Sequence, residues 1–254
     1  MNPQRKTEIN TSQLEGRNAV MEALKHERAI DKIFVKKGEY SGSLKLIIAK
    51  ARQAGVVVSE TNAAKLDEMS QSRNHQGVIA ICPVREYAEV SDILNKAKQK
   101  NEPPFIIILD SVTDTYNLGA IIRSADACGA HGVIIPKRRA ATLTGMVAKA
   151  AAGAVEHVLV ARVTNIVSAI ESLKKQGVWV VSADLSGNPF HETPMDGAVA
   201  LVIGGEGAGV GRLIKEKSDY IAKIPMYGEI PSLNASVAAG ILMYEVVRQR
   251  NWRR

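Results

Sequence analysis

The chain alternates short apolar runs with longer segments whose apolar positions recur at helical spacing. In its first third, Val20, Ala23 and Leu24 share one helical face and predict a helix over 16–27. A strand at 32–36, a helix over 43–54 stopped by Gly55, a strand at 56–59, a helix at 63–69 and a strand at 77–82 ended by Pro83 follow. Together they predict a small α/β unit over 13–84. Residues 85–104 are charged and close on Asn101-Glu102-Pro103-Pro104, which bars helix continuation; they read as a linker, partly helical over 90–98. Beyond it, apolar runs at 105–109, 133–135, 178–182, 199–203 and 220–224 alternate with helical stretches at 118–128, 142–152, 166–176, 213–217 and 235–248. Near-continuous apolar strands spaced by helices predict a parallel sheet covered on both faces, hence an α/β fold over 105–254. The polar residues 1–12 read as a disordered N-terminus.

Composition adds limits. A hydrophobic share of 46% with 23% charged residues over 254 positions is enough to bury a real core. The excess of 33 Lys+Arg over 26 Asp+Glu, a net +7, suits a polyanionic partner but equally a basic, unspecialised enzyme. Only 4% of residues are aromatic, which argues against a base-stacking surface built on several rings. Cys82 and Cys128 form no CxxC pair and the five histidines lie far apart, so neither a disulfide framework nor a metal site is expected. No signal-type apolar region opens the chain, and no run approaches the roughly 18–20 apolar residues of a membrane span. A cytoplasmic protein is expected.

In open α/β sheets ligands bind beyond the carboxyl ends of the strands. Three loops are singled out by that rule. The first runs from Asp110 to Asn117 and leads into a helix bearing Arg123, which could hold a phosphate or be a surface arginine beside a capped helix start. The second, Gly204-Gly-Glu206-Gly-Ala-Gly-Val-Gly211, has five glycines in eight residues. It fits G-x-G-x-x-G in no register and lacks a following Gly-Lys-Ser/Thr, so a nicotinamide-dependent oxidoreductase and a P-loop are both disfavoured. Glu206 would repel phosphate; the turn better suits a ligand with hydroxyls or a positive centre. The third loop runs from Pro225 through Pro231 to Ser232 and Asn234, both good caps for the final helix.

The wording of these loops goes further. Asn117-Leu-Gly-Ala-Ile-Ile-Arg123-Ser-Ala-Asp, Leu201-Val-Ile-Gly-Gly-Glu206-Gly and Ile224-Pro…Ser232-Leu-Asn234-Ala-Ser-Val-Ala resemble, in order, the three motifs of the SpoU (TrmH-type) ribose 2′-O-methyltransferases of the SPOUT superfamily. Leu14-Glu-Gly-Arg17-Asn18-Ala-Val and Asn74-His75-Gln76-Gly77-Val resemble the L30e-like RNA substrate-binding domain of the subgroup that methylates a 23S rRNA guanosine. The resemblance covers nearly the whole chain.

It implies a C-terminal trefoil knot, S-adenosylmethionine as cofactor, 23S rRNA as partner and a homodimer formed through the terminal helices, here 235–247. By position, Asn117, Arg123, Glu206, Ser232 and Asn234 match the catalytic set; Gly204, Gly205, Gly207, Ile224, Met226 and Leu233 match the cofactor pocket. Arg17, Asn18, His75 and Gln76 are the RNA-contact candidates, with His75 equally readable as a turn residue. The family gives the Arg123 position the role of general base. Arginine keeps its proton, with a pKa above ~12, so an electrostatic clamp on phosphate and alkoxide is the better chemical expectation. The same chemistry on tRNA or another rRNA site, or a non-catalytic RNA-binding assembly factor, remains open from sequence.

Overall fold

The computed structural model describes residues 13–38, 40, 42–230 and 232–251. The expected disordered N-terminus (1–12), Pro231 and the end of the basic tail (252–254) lie outside the described residues. The chain divides into two compact units, Met1–Glu86 with Thr142–Gly145, and Tyr87–Ala141 with Met146–Arg254.

The first unit holds β1 (Gln13–Glu15), α1 (Arg17–Lys25), β2 (Lys32–Lys36), α2 (Gly42–Gln53), β3 (Val57–Thr61), α3 (Ala63–Met69) and β4 (Val78–Ile81). Its sheet runs β1-β4-β2-β3, with β2 parallel to β3 and β4 antiparallel to both β1 and β2. Alternation sends Ile33 and Val35 of β2 inward, where they meet Leu44, Ile47 and Ala51, which share one face of α2. Gly16 takes φ 87, the left-handed turn that lets the chain leave β1 and enter α1 directly.

The second unit opens with α4 (Val90–Gln99), which lies within the stretch read above as a linker. Its Ile93 and Ala97 are buried, and Ile93 joins the core of this unit. Then come β5 (Phe105–Asp110), α5 (Thr115–Ala127), β6 (Gly132–Pro136), α6 (Gly145–Ala150), β7 (Leu159–Val163), α7 (Ile166–Lys175), β8 (Trp179–Pro189), β9 (Val199–Gly204), α8 (Arg212–Lys217), β10 (Tyr220–Lys223) and α9 (Ala235–Asn251). All six strands are parallel, in the order β10-β8-β9-β5-β6-β7. Strand β7 was not among the expected runs, and the predicted helix over 142–152 is the shorter α6 followed by a 3-10 turn at Ala154–Glu156.

The central strands are buried on both faces. Ile106 and Ile108 of β5 pack with Ile170 and Leu173 of α7 and Ile214 of α8. Phe105, Ile107 and Leu109, equally buried, point the other way. On that side α9 lies against β9, α5 against β6, and the two helices against each other. From β5 the chain crosses to β6 on one side, and from β9 to β10 on the other. The carboxyl ends of β5 and β9 therefore flank the switch point where such sheets open a crevice.

Candidate functional site

At that edge Asp110 and Gly204 are register partners. Gly205 donates its backbone N–H to the Asp110 carbonyl at 2.7 Å, and the Asp110 carboxylate accepts from Gly211 N–H at 2.8 Å and Ser111 Oγ at 3.1 Å. The glycine turn is thus tied to the loop after β5. A Cβ on Gly205 would stand 2.1 Å from the Ser111 carbonyl oxygen, and one on Gly204 2.1 Å from the Gly209 backbone. No side chain fits at either place, which is why the turn needs glycine there.

Glu206 sits on this turn, exposed. Its Oε1 accepts from Asn117 Nδ2 at 2.7 Å and from Asn234 Nδ2 at 3.3 Å. Asn117 is buried in the first turn of α5, where the N-cap Asp114 accepts its backbone N–H at 2.7 Å. Asn234 turns its Oδ1 to the start of α9, accepting from Ser236 N–H at 2.9 Å and Ser236 Oγ at 2.6 Å. One carboxylate oxygen of Glu206 is therefore held by two amides that arrive from two different helix starts.

Beside it lies a cavity of about 550 Å³. Gly204, Gly205, Gly207, Ile224, Met226 and Leu233 all line it, as do Glu206 and Ser232. So do Asp184 and Leu185 in the middle of β8, beyond Ser182, where the apolar run in the sequence stops. Asp184 is held by Lys215 Nζ at 2.9 Å and Ser186 Oγ at 2.6 Å. Partial burial works to raise its pKa, but the Ser186 and Lys215 bonds prevail and hold it below its usual value.

Arg123 is not among the lining residues. Six residues along α5 is about 600° of rotation, so Asn117 and Arg123 point about 120° apart. Asn117 is buried and Arg123 exposed.

In the first unit, Arg17 and Gln76 do meet. Arg17 donates its backbone N–H to Gln76 Oε1 at 3.2 Å, Nε to the Gln76 carbonyl at 3.0 Å and Nη1 to Ser43 Oγ at 3.0 Å. His75 Nδ1 accepts from Gly77 N–H at 2.9 Å, so its proton sits on Nε2, 2.9 Å from Asp67 Oδ1. Asn18 is exposed on α1. The loop carrying Arg73 to Gln76 is held by the Glu15 carboxylate, which accepts from Ser70 Oγ at 2.7 Å, Gln71 N–H at 2.6 Å, Ser72 N–H at 3.1 Å and Ser72 Oγ. Partial burial works to raise the Glu15 pKa; the bonds from Ser72, Gln71 and Ser70 together outweigh it and lower it to about 2. Neither Glu15 nor Asp110 carries a sequence signal of its bracing role.

Among the described residues no group of three or more His, Cys, Asp or Glu could hold a metal ion, and no helix is long and apolar enough to cross a membrane.

The fold and crevice define a doubly wound parallel α/β protein with a ligand site at its switch point. The SpoU rRNA Methylase family model matches residues 104–244, and the model for RNA 2′-O ribose methyltransferase substrate binding matches 13–88. A Bacillus subtilis protein assigned to the TrmH family of tRNA/rRNA methyltransferases, YacO, is 50% identical over 238 residues, 93% of this chain and 95% of its own. A Staphylococcus aureus protein of the same assignment is 43% identical over 237 residues, 93% of this chain and 95% of its own. The AdoMet-bound rRNA methyltransferase of Sinorhizobium meliloti superposes with a TM-score of 0.57 at 27% identity, covering 94% of this chain and 87% of that one. The SpoU methyltransferase AviRb of Streptomyces viridochromogenes shares the fold with a TM-score of 0.59, covering 98% and 94%, at 24% identity. The chain belongs to the SpoU rRNA methylase family: it is an RNA methyltransferase with the SPOUT-type parallel α/β fold and an N-terminal substrate-binding domain.

Proposed function

We propose that this protein transfers a methyl group from S-adenosylmethionine to the ribose 2′-hydroxyl of a guanosine in 23S rRNA, as a cytoplasmic homodimer. The observation that carries this reading is the meeting of Asn117 and Asn234 on Glu206 at the mouth of a cavity. At about 550 Å³ the cavity has the size of a small-molecule cofactor site. Its lining suits the cofactor's chemistry. Leu185, Ile203, Ile224, Met226 and Leu233 offer apolar surface for an adenine, and the Glu206 and Asp184 carboxylates favour a cationic ligand. When bound, S-adenosylmethionine supplies an electrophilic methyl on a sulfonium.

The chain's own residues supply position and charge. Ser232, exposed on the cavity wall, can donate to or accept from the target ribose. The amides of Asn117 and Asn234 fix Glu206, leaving its Oε2 to orient a hydroxyl of the ribose or accept its proton. Arg123, exposed on α5, clamps the phosphate beside the target and stabilises the developing alkoxide, without giving up its own proton. In the substrate-binding unit, Asn18 and the braced 70–77 loop face RNA. Tyr116 on α5 and Val237 and Tyr244 on α9 are exposed apolar side chains on two helices that pack together, a surface suited to a second copy of the chain. The family's knot belongs to the same proposal.

The test is methyl transfer from labelled S-adenosylmethionine to protein-free rRNA and tRNA pools, wild type beside Arg123→Ala. Label in a ribose of 23S rRNA that the variant abolishes supports the reading, and a rate flat in pH above neutrality favours the clamp. Label in tRNA alone overturns the substrate. No cofactor binding overturns the catalytic reading.

A further inference from the structure

The sequence Lys137-Arg138-Arg139 follows β6 and enters none of the roles above. All three side chains are exposed, and among the described residues none has an acidic partner. Other cations of the same unit are spent internally: Lys174 on Asp219, Lys215 on Asp184, Lys217 on Glu171 and Arg248 on Glu245. Three consecutive cations left without partners repel one another, which costs stability unless an external anion offsets it.

The segment is also held still. Lys137 donates its backbone N–H to the Val163 carbonyl at 2.8 Å, and its own carbonyl accepts from Arg162 Nη2 at 3.1 Å. The Arg162 guanidinium lies 5.3 Å from the Tyr87 ring centroid. Arg139 takes φ 57, a backbone conformation that side-chain-bearing residues rarely adopt. Two residues on, Ala141 donates its N–H to the Val112 carbonyl at 2.8 Å, in the loop that leads to Asn117. Because β5 and β6 are parallel neighbours, this basic turn lies at the same sheet edge as the candidate catalytic loops.

We propose that Lys137, Arg138 and Arg139 form a phosphate-binding rail that takes the RNA backbone next to the target nucleotide; the proposal rests on the RNA-methylating reading above. The rail contacts phosphodiesters, not bases, so it sets affinity and register without choosing sequence.

The test compares Lys137→Gln/Arg138→Gln/Arg139→Asn with a control triple, Lys98→Gln/Lys100→Gln/Lys175→Gln, which removes equal charge where α4 and α7 end, at the opposite edge of the sheet. Asparagine at 139 tolerates the left-handed backbone. RNA affinity is measured against salt on 23S rRNA transcripts, with cofactor affinity and kcat at saturating RNA alongside. The rail variant is expected to flatten the slope of log affinity against log salt by about 1 per side chain, about 3 in all, with cofactor affinity and kcat unchanged. The double variant Lys137→Gln/Arg138→Gln, which leaves the strained position alone, should flatten it by about 2. An unchanged slope in the rail variants, or an equal change in the control, overturns the rail while wild-type methyl transfer keeps the underlying reading. Wild type that methylates no RNA overturns both.

Discussion

The two edges of the six-stranded sheet treat polar groups in opposite ways. At the amino edge the named groups bond within the protein, although the buried Nε of Arg250 has no hydrogen-bond partner among the described residues. His131 is fully buried, accepts Phe105 N–H at Nδ1 at 3.0 Å and so gives its Nε2 proton to Glu102 at 3.0 Å. Arg250 Nη2 reaches the Pro104 carbonyl at 2.9 Å and the Gly197 carbonyl at 2.7 Å, with its guanidinium over the Phe105 ring. Among the described residues at the carboxyl edge, Glu206 has one oxygen held and the other without a bond, Ser232 faces a cavity, and Lys137 to Arg139 have no counter-ions. The first arrangement closes the fold; the second leaves polar groups open to a ligand. One helix, α9, joins them, with Asn234 capping its start beside Glu206 and Arg250 at its far end.

Substitutions should separate the edges. The largest effect is expected from Glu206→Ala: methyl transfer should fall by roughly 100- to 1,000-fold, by analogy with the loss of one preorganised polar group, with only a small drop in Tm from the Asn117 amide that loses its acceptor at an exposed carboxylate. A collapse of Tm would show that the carboxyl edge is structural after all. His131→Leu should do the reverse, costing about 2 kcal/mol of unfolding free energy, because the buried Phe105 N–H loses its acceptor. Denaturant unfolding measures this, and cofactor affinity of the folded variant should match wild type.

The same histidine predicts a pH effect. Burial lowers its pKa below the ordinary 6.5, more than the Glu102 carboxylate raises it. Below pH 6.5 the unfolded chain takes a proton that the folded one refuses, so stability should decline as pH falls from about 6.5. The decline should be smaller in His131→Leu; thermal melts from pH 7.5 to 5.5 decide it. Smaller again, Glu15→Gln should cost about 1 kcal/mol, since solvent screens a partly exposed carboxylate. Its folded pKa of about 2 lies below the ordinary 4.5, so its contribution is present above pH 4.5 and is lost toward pH 2. Equal acid sensitivity in wild type and variant would remove Glu15 as the brace.

How much was legible in advance followed from local chemistry. Strands β5 and β9 read directly as FIIIL and VALVI because both of their faces are buried. Strand β7 escaped because Arg162 interrupts it; at the sheet edge that side chain turns to Tyr87 and the Lys137 carbonyl instead of into the core. Strand β8 runs past Ser182 to Pro189 through Ser-Gly-Asn, residues that signal a turn, because β10 supplies register partners for Asn188 and Pro189 across a bulge. Three-residue β1 is too short to show alternation. The cavity-lining residues at 204, 205, 207, 224, 226 and 233 were named through the family motifs; spacing alone licensed only a ligand edge. Arg123 follows Asn117 by six residues on α5, a spacing that turns the two side chains about 120° apart.

The contact between Arg250 and Pro104 spans 146 positions of sequence. During synthesis the amino edge of the sheet therefore stays unsealed until α9 has left the ribosome, and Asn234, which helps hold Glu206, emerges in that same late stretch. A nascent chain halted before Asn234 would carry the glycine turn but neither its second amide nor the seal beneath it. The two-amide hold on Glu206 is thus complete only once the segment that opens α9 has been made.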